Sequence, residues 1–382
     1  MLGSLFVKTK TQKLWIEKLH SKKESFKNRA AEVDELAIFP KENIHELVKL
    51  GYSKITLPEE YGGEGLKVYD MILFQETLAS FDANTALSIG WHVGGVGEIY
   101  ENKRWNEQQL SLFAEEVVKG ALVNRAVSEA QTGSPTRGGR PETYAIKQGD
   151  YWIISGRKNF TTMSPVLTHF LTSAWIEKKQ TTGFFLISKN VEGLNIEETW
   201  DVISMRGTGS HDLVLQNVKV PNSMLVELFE GPRGNELNGW LLHIPACYLG
   251  IAQAARDYAI HFANHHSPNS IAGPISQLEN VQRLIGEIDL ELMQTRHFLY
   301  SVAEAYDDEE RRVYLTNELG AVKHAVTNSA ISIVDKAMRI VGAKSLQRSN
   351  PLQRYYRDVR AGLHNPPMDD MTIKKLALSA IK

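Results

Sequence analysis

The stretch Gly149-Asp150-Tyr151-Trp152-Ile153-Ile154-Ser155-Gly156-Arg157-Lys158-Asn159-Phe160-Thr161-Thr162 decides the fold. Its core, residues 151–156, is a short run rich in aromatic and β-branched side chains, which predicts a strand. The same kind of run recurs at His169-Phe170-Leu171-Thr172-Ser173-Ala174, at Gly183-Phe184-Phe185-Leu186-Ile187 and at residues 212–221. Glycine and polar turns separate these runs. That pattern predicts an antiparallel barrel or sandwich over residues 121–232.

On either side the period changes to that of helices. Before residue 120, Ile44 to Leu50 ends at Gly51 as a helix stop, and helical patterns resume from Met71 to Ala79 and from Asn106 to Val118. Between them, Leu57-Pro58-Glu59-Glu60-Tyr61-Gly62-Gly63 reads as a loop. After residue 236, Leu315, Leu319, Val322, Val326, Ala330, Ile333, Ala337 and Val341 step by three or four and mark one apolar stripe on a long helix. Val281, Leu284, Ile285, Ile288, Leu292, Leu299 and Val302 mark a second. Stripes of this length pack as a bundle. The expected class is α+β, mainly α: an N-terminal helical domain (1–120), a central antiparallel β-barrel domain (121–232) and a C-terminal four-helix bundle (233–382).

Composition narrows the function. The 382 residues carry 43 Lys and Arg against 45 Asp and Glu, a net charge of −2. No basic surplus exists to neutralise phosphates, so no nucleic-acid partner is expected. Cys247 is the single cysteine, which excludes an internal disulfide and a zinc site built from several thiolates. It suits a reducing compartment, and its apolar neighbours make it a small core residue. No apolar run reaches membrane length, and Met1 to His20 carry no signal-peptide core. A cytoplasmic protein without a membrane partner is expected.

Helical, then β, then helical bundle is the layout of the acyl-CoA dehydrogenase superfamily, and five stretches resemble it in order. Residues 55–65, ITLPEEYGGEG, are similar to its "PEEYGG-G" loop. Ala126-Val127-Ser128-Glu129-Ala130-Gln131-Thr132-Gly133-Ser134 resembles its "TEP-AGS" flavin loop, and residues 149–162 resemble its "GD-Y-L-G-K-WIT" strand pair. Met205-Arg206-Gly207-Thr208 with residues 218–221 resembles "G-RG-T … V-VP", and Ile340-Val341-Gly342-Ala343 followed by Tyr356-Arg357-Asp358 resembles "GG-G … RD". The resemblance implies a flavin, FAD, or alternatively FMN supplied reduced. It would be held by Val127, Ser128, Gly133, Ser134, Phe160 (stacked on the ring), Thr162 (a hydroxyl donor), Arg339 and Gly342. Such a ring needs polar partners along its pyrimidine edge and an apolar wall.

Family dehydrogenases use a glutamate beside the flavin to take a proton alpha to a thioester carbonyl. Counting from Asp358 puts that place at Pro366, and counting back from Gly250 puts the alternative place at Trp240; neither accepts a proton. Glu236 is the nearest carboxylate, one turn out of register. The substrate-side arginine of the family falls near Leu241, and its flavin-pyrophosphate arginine near Phe262. Histidine is gained instead. His92 and His364, with Thr162 in place of a serine, are similar to the active-site set of flavin-dependent monooxygenases like dibenzothiophene monooxygenase. An imidazole titrates near neutrality and suits proton transfer. His211, His243, His265 and His266 read as surface or core histidines, and no metal is expected.

The reading is therefore a flavin-dependent oxidoreductase acting on an acyl-CoA or similar small organic substrate, with His364 and His92 catalytic. The alternatives are a reduced-flavin-dependent monooxygenase using the same two histidines and a non-catalytic flavin-binding homologue. The implied partners are a flavin reductase or an electron-transfer protein, and further copies of the chain in a homodimer or homotetramer.

Overall fold

In the computed structural model the described residues are 5–132, 139–229 and 237–381. Six helices come first: α1 (Lys10–His20), α2 (Lys23–Leu36), α3 (Lys41–Lys49), α4 (Val68–Ala79), α5 (Ala83–Asn102) and α6 (Glu107–Val118). Their starts follow capping chemistry. Thr9 and Gln12 exchange hydrogen bonds in a capping box at α1, and Asn106 and Gln109 do the same at α6. The Asp82 carboxylate accepts from the Asn84 and Thr85 amides at the head of α5.

Eight strands follow: β1 (Val123–Ala126), β2 (Tyr144–Gln148), β3 (Tyr151–Thr161), β4 (His169–Ile176), β5 (Thr181–Ser188), β6 (Leu194–Glu197), β7 (His211–Pro221) and β8 (Leu225–Leu228). They run in the order β6-β7-β3-β2-β4-β5-β8, with β1 beside β4. The expected barrel does not close. The edge strands β6 and β8 are four residues each, and no pairing joins them among the described residues. The two halves of the sheet meet where β2 and β4 share one residue pair, Tyr144 with Trp175, in parallel sense. Contacts this thin leave an open, folded sheet with short edges.

The remaining helices are α7 (His243–His265), α8 (Glu279–Asp307), α9 (Glu309–Arg312), α10 (Glu318–Val341), α11 (Pro351–Asp358) and α12 (Asp369–Ile381). The first half of α7 is buried on all sides, because α4, α5, α8 and α10 each pack against it. The expected stripe of α10 is buried from Val322 to Val341, while Leu315 precedes the helix in a turn and is buried there. Cys247 lies in the core of α7, and burial pushes its thiol well above the ordinary range. Among the described residues no helix is long and apolar enough to cross a membrane.

Candidate flavin site

The loop after β1 is fixed by a carboxylate. Glu129 is 3% exposed and Lys158 of β3 is fully buried, and Lys158 Nζ donates to Glu129 Oε1 at 2.5 Å. The same carboxylate accepts from Thr132 Oγ1 at 2.9 Å, the Glu142 amide at 2.6 Å and the Thr143 amide at 3.2 Å. Lys158 also donates to Ser173 Oγ on β4 at 3.0 Å. Burial lowers the Lys158 ammonium to about 8, with Glu129 opposing it. Burial alone would raise the Glu129 carboxyl, but Lys158 and the loop donors outweigh it and hold it below the usual carboxylate range. At neutral pH both groups are charged. The Asn159 amide donates to Ser128 O at 2.9 Å, so the loop lies directly along β3. Val127 and Ser128 are half-buried beside it.

β3 then changes face. The pairing of β3 with β7 slips between Lys158 and Thr161, a bulge that inverts the in–out alternation. Phe160 sits in that bulge at φ 54° and is 60% exposed, whereas Thr161 is buried. Positive φ is a strained state for an aromatic residue and is retained where the surroundings impose it. The Phe160 ring meets Trp200 edge-on, with centroids 6.0 Å apart and planes at 85°. Thr162 Oγ1 lies 2.9 Å from Ser210 Oγ, which lies 2.9 Å from Thr208 Oγ1. An aromatic face held outward beside a row of hydroxyls and a loop of backbone amides is a set of groups that fits a flavin ring.

The C-terminal loop is tied to the same region. Asp358, at the end of α11, is buried, and its Oδ1 accepts from the Met205 amide at 2.6 Å. Met205 O in turn accepts from Trp200 Nε1 at 3.1 Å and Thr208 Oγ1 at 3.0 Å. Arg357 grips the Asp34 carboxylate of α2 with both terminal nitrogens, at 3.0 and 2.5 Å. Beyond Asp358, Asn365 Oδ1 accepts from the buried Tyr248 of α7 at 3.2 Å. His364 is exposed, and its ring has no hydrogen-bond partner among the described residues. Arg339, on the last turn of α10, is exposed and pairs with Asp335 at 2.7 Å. Gly342 follows at φ 69° with open space where a Cβ would stand. Within the described residues no hydrogen bond or ion pair joins Arg339 to the 127–132 loop.

Three family models match this architecture: the acyl-CoA dehydrogenase N-terminal domain over residues 16–120, its middle domain over 124–218 and its C-terminal domain over 236–363. The chain belongs to the acyl-CoA dehydrogenase family. It is 59% identical to a putative acyl-CoA dehydrogenase, YdbM, of Bacillus subtilis (strain 168), over 99% of this chain and 100% of that one. It is 30% identical to an L-evernosamine nitrososynthase of a Micromonospora species, over 87% of this chain and 81% of that one. The structure of butyryl-CoA dehydrogenase from Megasphaera elsdenii shares the fold, with a TM-score of 0.87 at 22% identity over 98% of this chain and 99% of that one. Members of this family are flavin-dependent oxidoreductases, and that is the class of this protein.

Neither place to which the family's base is counted in the sequence carries a proton acceptor. Trp240 is buried, and its Nε1 donates to Glu101 Oε2 at 2.9 Å. Pro366 lies in the loop after His364. Gly133, Ser134 and Glu236 lie outside the described residues.

His92 is corrected by the structure. It is fully buried, Nε2 lies 2.8 Å from Ser53 O, and Nδ1 accepts from the Val123 amide at 3.0 Å. These partners assign the proton to Nε2 and leave neither nitrogen for a substrate. Burial lowers its pKa to about 4, so it is neutral. Its work is to tie α5 to β1, whose Asn124 side chain donates to Thr162 O at 3.0 Å. His92→Ala would orphan a buried carbonyl and a buried amide, and is expected to lower unfolding stability by roughly 2 kcal/mol or more in urea titration. An unchanged midpoint would contradict the strut.

Sequence reasoning missed Lys158, Glu129, Ser210 and Asp358 as parts of the site. One signal was present. The buried parity of β3 runs through Trp152 and Ile154 to Lys158, and a lysine on the inner face requires a nearby carboxylate.

Proposed function

We propose that this protein binds FAD along residues 127–134, Phe160 and Thr162 and oxidises an acyl-CoA or a similar small organic substrate. The observation that carries this reading is Phe160, an aromatic face 60% exposed and held in the left-handed region by a bulge. Such a face lacks cover in the isolated chain, and a planar ring would provide it. The flavin supplies hydride acceptance when bound. The chain's own contribution is to seat the ring between Phe160 and the loop, to offer the Thr162 hydroxyl, and to handle a proton at His364, the free imidazole of the C-terminal loop. Arg339 and Gly342 would reach a flavin from a second copy of the chain. The exposed Leu290, Met293 and Leu346 supply apolar surface for such a dimer or tetramer. An electron-transfer protein would reoxidise the flavin, and the protein would work in the cytoplasm.

The expected result is a yellow protein whose flavin absorbance bleaches anaerobically with at least one member of an acyl-CoA panel. A second reading rests on Trp240 and Pro366, where family bases are absent. A monooxygenase consuming reduced flavin, as FMN or FAD from a reductase, needs no carboxylate there. It would be nearly colourless as purified and would consume oxygen only when reduced flavin and substrate are both added. Colourless protein that is silent in both assays would contradict both readings and leave a non-catalytic homologue.

A further inference from the structure

We propose that the buried Glu129–Lys158 ion pair is the positioning element of the flavin loop: it sets the loop's distance and orientation against β3 and so decides how tightly flavin is held. The proposal rests on the reading of residues 127–134 as a flavin loop.

The geometry carries it. One carboxylate gathers four donors from three segments: Thr132 Oγ1 from the loop, the Glu142 and Thr143 amides from the approach to β2, and Lys158 Nζ from β3. The lysine is held in turn by Ser173 on β4. Lys158 stands one residue before Asn159, whose amide bonds Ser128 O, and two before Phe160. The pair therefore fixes the loop backbone and the exposed aromatic relative to each other. Both charges are buried, and a buried ion pair is often no more stabilising than apolar residues of the same volume. What apolar residues cannot do is satisfy the two amides and the Thr132 hydroxyl in one arrangement. The pair's contribution is thus to geometry more than to stability, and the two are separable by mutation.

The test uses the full-length protein with Lys158→Met, Glu129→Gln and the double variant Glu129→Met/Lys158→Met. Three quantities are read: the thermal midpoint of flavin-free protein, the dissociation constant for added FAD and FMN, and amide hydrogen exchange over residues 127–132 and 142–143. Each single variant should lower the midpoint and speed exchange in those segments while the middle of β3 stays protected. The double variant should regain the part of the midpoint that Lys158→Met loses by leaving a buried carboxylate unpaired, though not the part due to the orphaned amides, and should bind flavin roughly tenfold more weakly or worse. Recovery of flavin affinity together with the midpoint would reduce the pair to ordinary core structure and overturn the proposal. So would unchanged exchange in Lys158→Met. If the unaltered protein binds neither flavin, the functional reading falls, and the exchange result still decides whether the pair positions the loop. Glu129→Gln, nearly isosteric, supplies that result where the methionine pair does not fold.

Discussion

His364→Ala is expected to reduce turnover by about 10²-fold or more while leaving the thermal midpoint unchanged. The two halves of that expectation have separate grounds. The side chain is exposed and bonds nothing among the described residues, so its removal orphans no buried group. Its backbone amide, which donates to Ala361 O at 3.0 Å, is untouched by the substitution. The neighbouring Asn365 remains anchored to Tyr248, so the loop keeps its path over α7. The activity half rests on the proposed reading in which Pro366 and Trp240 stand where family members keep a base, since neither accepts a proton. An imidazole in the same loop is the group that could take the role. The readouts are kcat as a function of pH and calorimetry on the same sample. Near-normal turnover would remove His364 from the mechanism and direct attention to Glu236.

The sequence disclosed the fold because its signals are local and redundant. Three blocks of different period, and five family-like stretches in order, survive the small misplacements that affected single elements, such as Leu315 falling before α10. The site was only partly legible, for two physical reasons. First, a histidine's type says nothing of its hydrogen bonds. His92 lies one short chain of contacts from Thr162, but its ring is used up by backbone partners on two other elements. Second, the groups that fix the site are far apart in sequence. Glu129 and Lys158 are 29 residues apart, and Met205 and Asp358 are 153 apart. No periodicity connects such pairs. The bulge that turns Phe160 outward is equally invisible, since it arises from a register slip between β3 and β7.

Asp358→Ala is expected to destabilise the protein by about 3–5 kcal/mol and to weaken flavin binding with it. The carboxylate is buried and holds the amide of Met205, a residue in the left-handed region at φ 52°. Through its carbonyl Met205 also receives Trp200 and Thr208, and these lead to Phe160 and Thr162. Losing Asp358 would free a strained turn on which Phe160 and Thr162, the side chains proposed to meet the flavin, depend. The pH dependence gives the sharper test. Burial raises Asp358 from an ordinary 3.8 to about 7, while the Met205 amide, Arg354 and Arg357 oppose the rise and Asp34 adds to it. The folded chain therefore keeps a proton that the unfolded chain has lost between these values. Its stabilising contribution is complete below about pH 4 and disappears as pH climbs through about 7, a change of up to about 4 kcal/mol for this group. Asp358→Asn keeps an acceptor for the Met205 amide and cannot ionise. Urea titrations at pH 5 and pH 8 should show unaltered protein losing stability across the interval and the asparagine variant losing less, so that the two converge or cross at the higher pH. Parallel curves would mean that Asp358 stays ionised in the folded chain, held by Arg354 and Arg357 against the cost of burial.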